Sequence, residues 1–145
     1  EYQIRPPPPF NTTEFLREST KLGLSVGKTM SIAEDLYSKG YISYPRTDNT
    51  VYPQSLNLKS ILEKFLNSTY KNEAEELLSQ DRIRASRGKV QTTDHPPIYP
   101  VKAIKKDEMK GDYFKVYDLV VKRFFATVAP DAKIWTLELK AQDTK

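Results

Sequence analysis

Two helix signals stand back to back near the beginning of the chain, and they limit what this region can fold into. Asn11 has capping-box-like spacing to Glu14, so a helix should start there and stop at Gly23. Ser25 is placed to cap a second helix, which Gly40 would end. Apolar side chains recur near helical spacing between these caps. The sequence therefore predicts two short helices joined by a tight turn.

The residues after Gly40 have the composition of a strand. Residues 41–44 are rich in aromatic and β-branched side chains, and Pro45 would stop ordinary pairing soon after. Helix, turn, helix and strand is the order of a winged helix-turn-helix, which commonly binds DNA. We predict an α+β fold that is mostly α-helical: a winged-helix-like (CAP-like) DNA-binding domain with a short β-hairpin and flanking strands. A small helical domain with a hairpin fits the same order.

Further helices are predicted in the second half of the chain. A third should begin near Pro53 and run to residue 65, and a weaker fourth should cover residues 72–78. Residues 79–100 lose apolar periodicity, which indicates a long structured loop, and such loops are often functional. A strong helix then begins with Asp112 as its cap and is ended by Pro130.

Both ends of the chain have extended character. Four consecutive prolines at residues 6–9 stiffen the start, because proline fixes φ and has no N–H donor. Apolar and polar residues alternate near the other end, which favours a half-buried strand. We divide the chain into an extended segment 1–9, a domain 10–132 and a strand 133–145. The proline run leaves one further alternative, a ligand for a polyproline-binding protein.

The chemically informative stretch is GYISYPRTDN, residues 40–49. It resembles the active-site motif of type IA DNA topoisomerases: glycine, tyrosine, isoleucine, serine or threonine, the nucleophilic tyrosine, any residue, arginine, threonine, aspartate. TDHPPI, residues 93–98, resembles the family's second motif, which contains a histidine, in its archaeal-like form. The lead-in (5–30) and the helix at 122–126 are also similar to the family. The resemblance implies a fragment of a type IA topoisomerase, archaeal topoisomerase I/III-like, that carries the active-site tyrosine.

This resemblance implies a mechanism and a set of site residues. Tyr44 would attack one DNA strand and form a 5′-phosphotyrosine link. The other strand would pass through the break, and the 3′ hydroxyl would then reverse the reaction. Arg46 and His95 would act as catalytic residues at the phosphate. The supporting residues are Ser43, Thr47 and Asp48.

The resemblance also implies what acts together with this chain. The family holds Mg²⁺ with an acid cluster in a separate domain, and that cluster is missing from this sequence. Mg²⁺ is therefore implied for the full-length enzyme, with no cofactor or metal site in this chain. The implied partners are DNA, mainly single-stranded, and the remaining domains of the same enzyme, including a β-rich connecting domain for both chain ends. We expect a monomer in the cytoplasm, associated with the chromosome.

Elementary chemistry supports the same residues. Free tyrosine has a pKa of about 10 and is a weak nucleophile at neutral pH, so it needs a positive group beside it. Residues i and i+2 of an extended segment point the same way, so Arg46 should project beside Tyr44, with its planar fork suited to a phosphate. Asp48 shares that parity and would orient Arg46. The alternative is a surface tyrosine next to an exposed Arg46–Asp48 ion pair of little energetic weight.

Basic residues give candidate DNA contacts outside the motif. One basic stretch suits the backbone of single-stranded DNA, and equally a solvated loop: Arg82, Arg84, Arg87 and Lys89. Lys28 lies near the start of the second predicted helix, where a phosphate is favoured. The net charge of +4 is by itself only a mild indication of a polyanionic partner.

Composition excludes some classes and leaves a second function open. The chain has no cysteine, which rules out disulfides, a thiol nucleophile and a cysteine-based zinc site. No stretch approaches the roughly 20 apolar residues of a membrane span. The main alternative to an enzyme is a non-catalytic winged-helix DNA-binding module with Tyr44 on its wing. We expect the isolated chain to fold but not to relax supercoiled DNA.

Overall fold

The computed structural model describes residues 6–105 and 107–129 of the protein. Within these ranges the chain forms five α-helices, numbered α1 to α5 in chain order: Thr12–Thr20, Val26–Ser38, Leu58–Lys64, Lys71–Leu78 and Gly111–Val128. A 3₁₀ turn, Phe65–Asn67, continues α3. None of the described helices is long and apolar enough to cross a membrane. The prediction of a mostly α-helical fold is confirmed.

The boundaries of α1 and α2 follow the predicted caps. The Asn11 side chain accepts a hydrogen bond from a backbone N–H in the first turn of α1 at 2.8 Å, and Ser25 does the same for α2 at 3.1 Å. Gly23 and Gly40 follow the two helices with φ of 89° and 83°. Residues with a Cβ rarely adopt this left-handed conformation, so glycine is needed where each helix ends.

Two later helices begin at residues other than those predicted. α3 starts at Leu58 rather than near Pro53, because the Asn57 side chain caps it by accepting a backbone hydrogen bond at 3.0 Å. Asp112 does not cap α5 but lies in its first turn, where a carboxylate interacts favourably with the helix dipole. The predicted fourth helix and the long loop after it are confirmed. Pro130, the predicted end of α5, lies outside the described residues.

The predicted strand over residues 41–44 and its β-hairpin are wrong for the described part of the chain. The pairing here is one isolated antiparallel bridge, which joins Ile42 to Pro100. The neighbouring segment, residues 96–100, contains three prolines, and a proline has no N–H with which to continue a ladder. The strand predicted for residues 133–145 lies outside the described residues.

Helix α5 lies at the centre of the packing, with α1, α2 and α4 against it. Its buried side chains include Tyr117, Val120, Val121, Phe124 and Phe125. Phe10 and Phe15 join this core from the beginning of the chain, with ring centroids 5.7 Å apart. Full burial of one such side chain stabilises a fold by about 1.5–3 kcal/mol. The core therefore holds the loops around it in fixed positions.

The proline run packs onto its own domain. The Pro7 carbonyl accepts a hydrogen bond from Ser86 Oγ at 2.5 Å, and the Pro8 carbonyl accepts one from Arg123 Nε at 2.8 Å. The Arg123 guanidinium also lies over the Phe10 ring, 4.5 Å from its centroid. These intramolecular contacts do not favour the interpretation of the prolines as a ligand for another protein.

Candidate active site around Tyr44

The segment that follows α2 alternates between inward-facing and outward-facing side chains. Its buried residues are Ser43, Pro45, Thr47 and Asn49. Between them, Tyr44 is half-buried, and Arg46 and Asp48 are exposed. The expected i, i+2 parity is therefore present, although the segment is not a strand. The predicted nucleophile and the predicted arginine lie on the same, outward side.

The inward side chains bind this segment to the loop that carries His95. Thr47 Oγ1 and Asn49 Nδ2 both donate to the His95 carbonyl oxygen at 3.1 Å. Asn49 Nδ2 also donates to the Thr92 carbonyl at 3.1 Å, while Asn49 Oδ1 accepts from Val51 N at 2.9 Å. The backbone at His95 is thus held against the buried side of the segment.

Ser43 and Thr12 anchor the same segment at other points. Tyr99 N donates to Ser43 Oγ at 2.9 Å, and Ser43 N donates to the Tyr99 carbonyl at 2.9 Å. The Thr12 hydroxyl, in the first turn of α1, donates to the Pro45 carbonyl at 2.7 Å and accepts from Thr47 N at 2.7 Å. Ser43 and Thr47, which were predicted as supporting residues, therefore hold the backbone on either side of the tyrosine.

The Tyr44 ring lies between two other aromatic rings. The His95 imidazole is 4.7 Å away between centroids, and the Tyr37 ring of α2 approaches edge-on at 5.1 Å. Among the described residues, the buried side-chain polar atom that lacks a hydrogen bond is Tyr52 Oη. Tyr44 Oη also makes no hydrogen bond with a described residue, but it is not among these buried atoms. The Tyr44 hydroxyl is therefore at least partly accessible to solvent. The fold brings the predicted tyrosine and the predicted histidine together.

Arg46 is paired with a residue that the sequence did not indicate. Its Nε lies 2.7 Å from Glu34 Oε2, on α2, and both side chains are about half exposed. The expectation that Asp48 would orient Arg46 is wrong, because the carboxylate paired with this guanidinium is that of Glu34. Asp48 makes no hydrogen bond or ion pair within the described part of the chain.

Sequence reasoning missed three residues that contact this site. Asn49 continues the inward parity of Ser43 and Thr47, and that signal was sufficient to find it. Glu34 and Tyr37 lie one helical turn apart on α2, and no local pattern shows which face of α2 meets the tyrosine segment. Their contacts depend on tertiary packing.

Asp94 places a negative charge next to His95. Thr92 Oγ1 donates to Asp94 Oδ1 at 2.6 Å. This hydrogen bond, together with the backbone N–H groups of His95 and of Asp94 itself, holds the pKa of the Asp94 carboxyl below its usual value. The carboxylate therefore stays anionic at neutral pH, beside the exposed imidazole.

Several other tyrosines are poor candidates for a nucleophile because their pKa is raised. Burial is the main cause for Tyr52, Tyr70, Tyr99 and Tyr117. For Tyr113 the main cause is its hydrogen bond to the Asp35 carboxylate. A raised pKa lowers the fraction of phenolate at neutral pH.

The predicted DNA-contacting residues lie in two places, the first turn of α2 and the loop that follows α4. Lys28 Nζ pairs with Asp112 Oδ2 at 2.5 Å and so joins α2 to α5. It lies six residues before Glu34, or about 240° around the helix at 3.6 residues per turn, so it faces another direction. The basic loop residues are all exposed: Arg82, Arg84, Arg87 and Lys89.

Part of the basic loop lines a groove. The groove has a volume of about 840 Å³ and runs between residues 51–59 and 83–87. Arg84 and Arg87 contribute from the loop and Lys59 from α3, and the lining contains no acidic side chain. The groove is therefore complementary in charge to a polyanion.

The described residues do not fit a metal site. No group of three or more His, Cys, Asp or Glu side chains in residues 6–105 and 107–129 could hold a metal ion. The binding of Mg²⁺ by another domain of the full-length enzyme stays a prediction.

Comparison with known proteins gives a consistent result. A family model described as DNA topoisomerase matches residues 1–145. DNA topoisomerase 1 of Thermoplasma acidophilum is 56% identical over 133 residues, which cover 92% of this chain and 17% of that protein. DNA topoisomerase 1 of Archaeoglobus fulgidus is 53% identical over 95% of this chain and 20% of its own length. DNA topoisomerase 3-beta-1 of Homo sapiens is 40% identical over 85% of this chain and 14% of its own length.

The chain thus spans about a fifth or less of the length of these relatives. The family model nevertheless covers every residue of the chain, and the similarity to the archaeal proteins extends over nearly all of it. These matches show that the chain belongs to the type IA DNA topoisomerases.

Proposed function

We propose that this chain supplies the DNA-cleaving nucleophile of a type IA topoisomerase, and that Tyr44 Oη is that nucleophile. One observation carries the proposal: the Tyr44 ring is held 4.7 Å from the His95 ring, while Tyr44 is only half-buried and its hydroxyl is not among the fully buried, unpartnered polar atoms. A phenol that is fixed in direction but open to substrate meets the positioning requirement for attack on a phosphate.

In the proposed reaction, Tyr44 Oη attacks the phosphorus of one DNA strand and loses its proton to a base or to solvent. The bond between phosphorus and the 3′ oxygen breaks, and that oxygen takes up a proton. One phosphodiester is exchanged for another, so no high-energy cofactor is consumed. After the other strand has passed, the 3′ hydroxyl attacks the 5′-phosphotyrosine and restores the strand.

Arg46 and His95 are proposed to act on the phosphate. Arg46 is exposed on the same side of the segment as Tyr44, and a guanidinium can bind two phosphoryl oxygens and stabilise developing charge. His95 is exposed next to the Tyr44 ring and can donate to a third oxygen. The role proposed for Ser43 and Thr47 is to hold this backbone in place, and Asp48 has no contact that suggests a role.

The charged groove is the proposed path for single-stranded DNA beyond the tyrosine. Three cations and no acidic side chain line it, and Lys59 joins Arg84 and Arg87 as a proposed phosphate contact. Arg82 and Lys89 are exposed in the same loop and remain candidates. Lys28 is engaged by Asp112, which weakens its candidacy.

The remaining expectations about the whole enzyme are part of this proposal. We expect the full-length protein to be a monomer that acts on chromosomal DNA in the cytoplasm. We expect its Mg²⁺ site and its further domains to lie outside this chain. The alternative, a non-catalytic winged-helix module, is not favoured, because the family that the chain matches consists of enzymes. The described residues also contain no β-wing.

The test is Tyr44→Phe in the full-length enzyme that carries this sequence. With a 3′-labelled single-stranded oligonucleotide, the wild type should form a covalent adduct that survives denaturation, and the variant should form none. Tyr41→Phe is the matched control, since Tyr41 lies three residues away and its hydroxyl donates a hydrogen bond to Glu108 Oε2 at 3.3 Å. An adduct in the Tyr44→Phe enzyme would refute the proposal. Robust relaxation of supercoiled DNA by the 145-residue chain alone would refute a separate expectation, that the isolated chain does not relax DNA.

A further inference from the structure

We propose that Glu34 is a positioning residue for Arg46, which directs the free edge of the guanidinium toward a phosphate at Tyr44. This inference rests on the proposed role of Tyr44. Under this inference α2 not only packs against the core but also orients a catalytic side chain, because its Glu34 carboxylate lies directly behind the Arg46 guanidinium.

The geometry of the pair leaves the arginine able to bind substrate. Glu34 Oε2 accepts from Arg46 Nε at 2.7 Å, within the range of a charge-assisted hydrogen bond. Neither terminal nitrogen of Arg46 makes a hydrogen bond with a described residue. A guanidinium has five N–H donors in one plane, and Glu34 engages the one on Nε. The edge formed by Nη1 and Nη2 remains open for two phosphoryl oxygens.

The same flank of α2 contacts the nucleophile. Tyr37 lies three residues after Glu34, one turn along the helix, and its ring meets the Tyr44 ring at 5.1 Å. α2 is itself fixed, since Ala33 and Leu36 are fully buried in the core. A helix holds side chains in more precise positions than a loop does. Glu34 and Tyr37 therefore set Arg46 and Tyr44 in register with one another.

A role in stability explains the pair less well. The Arg46 and Glu34 side chains are 57% and 45% exposed, and an ion pair this exposed contributes little to folding. A guanidinium that is already oriented, however, loses less conformational entropy when the phosphate arrives. The other acidic residue in this part of α2, Asp35, is engaged by Lys39 and by the Tyr113 hydroxyl, so it cannot substitute for Glu34.

The opposite role, in which Glu34 masks Arg46, predicts different behaviour. A carboxylate beside the incoming phosphate repels it, so removal of a mask would tighten DNA binding and speed cleavage. Removal of a positioning residue leaves the charge of Arg46 available for binding but lets its direction vary. Cleavage would then slow while DNA affinity changed little.

The experiment measures single-turnover cleavage and binding of a single-stranded oligonucleotide by the full-length enzyme. We expect Glu34→Ala to slow cleavage roughly tenfold, the order of loss that follows from slight misplacement of a catalytic group, with the dissociation constant and the melting temperature nearly unchanged. Glu34→Gln keeps an oxygen that can accept from Arg46 Nε, so it should retain most of the rate. Glu18→Ala is the matched control, because it removes a carboxylate that pairs with Lys21 on α1.

Wild-type cleavage by Glu34→Ala, or faster cleavage with tighter binding, would overturn the inference. If the alanine variant is unstable, Glu34→Met decides, since it preserves side-chain length without an acceptor for Nε and should show the same slow cleavage. Wild-type cleavage by the methionine variant would overturn the inference equally. Tyr44→Phe, assayed in parallel, separates the two proposals: if it abolishes the adduct while Glu34→Ala cleaves normally, only the role of Glu34 fails.

Discussion

Replacing Asn49 by alanine should loosen the loop that carries His95. Asn49 is 3% exposed and makes three hydrogen bonds: two from Nδ2 to the carbonyls of Thr92 and His95, and one to Oδ1 from Val51 N. A buried hydrogen bond contributes about 1 kcal/mol net, and a buried donor left without a partner costs about 1–3 kcal/mol. Because Val51 is itself buried, we expect Asn49→Ala to lower the free energy of unfolding by about 3 kcal/mol.

Urea unfolding of the 145-residue chain measures this change. Asn67→Ala serves as the control, because Asn67 is exposed and its replacement should shift stability by less than about 0.5 kcal/mol. Asn49→Asp refines the test: it keeps the acceptor for Val51 N but turns a carboxylate toward two carbonyl oxygens. A buried carboxylate in that setting favours its protonated form, so this variant should gain stability as the pH falls from 7 toward about 4. If Asn49→Ala costs less than about 1 kcal/mol, the anchoring role argued from these bonds is incorrect.

Two further outcomes test the loop and the groove. An alanine Cβ at Gly88 would lie 2.5 Å from Thr50 Cβ, so Gly88→Ala should destabilise the chain by about 1–3 kcal/mol in thermal unfolding. The control is Gly27→Ala, which should be neutral or stabilising because its Cβ would meet nothing within 4 Å. Equal effects of the two substitutions would contradict the close approach of Thr50 to Gly88. Arg84→Ala should reduce the slope of log K against log salt concentration for single-stranded DNA binding by about 0.7. The control Lys122→Ala, on the outer face of α5, should leave that slope unchanged. An unaltered slope for Arg84→Ala would show that single-stranded DNA does not bind in the groove.

The helix boundaries that sequence predicted correctly are those with a single local signal. Asn11 and Ser25 each cap a helix through a backbone amide three residues ahead, and Gly23 and Gly40 adopt the positive φ that the helix ends require. The start of α3 was misplaced because the prediction relied on Pro53, whereas α3 begins at Leu58. Only Asn57 makes the capping hydrogen bond.

The strand prediction failed for a non-local reason. Residues 41–44 have strand-like side chains, but a strand also needs a partner that can donate N–H groups along its length. The partner that the fold supplies is the proline-rich segment 96–100. It meets residues 41–44 at the Ile42–Pro100 bridge and through Ser43, while Ile98 pairs with Phe10 instead. Strand-like composition was thus a correct guide to an extended backbone and a poor guide to a sheet.

Some features of the candidate site could be predicted from local sequence, and others depend on contacts between distant residues. The motif of residues 40–49, the outward parity of Tyr44 and Arg46 and the inward parity of Ser43 and Thr47 were all readable from the sequence, because extended backbone alternates its side chains whatever surrounds it. The partner of Arg46 and the ring contact between Tyr44 and His95 were settled only by the packed structure. Those contacts join residues distant along the chain, and their geometry depends on how α2 and the His95 loop pack around a shared core, which no short stretch of sequence specifies.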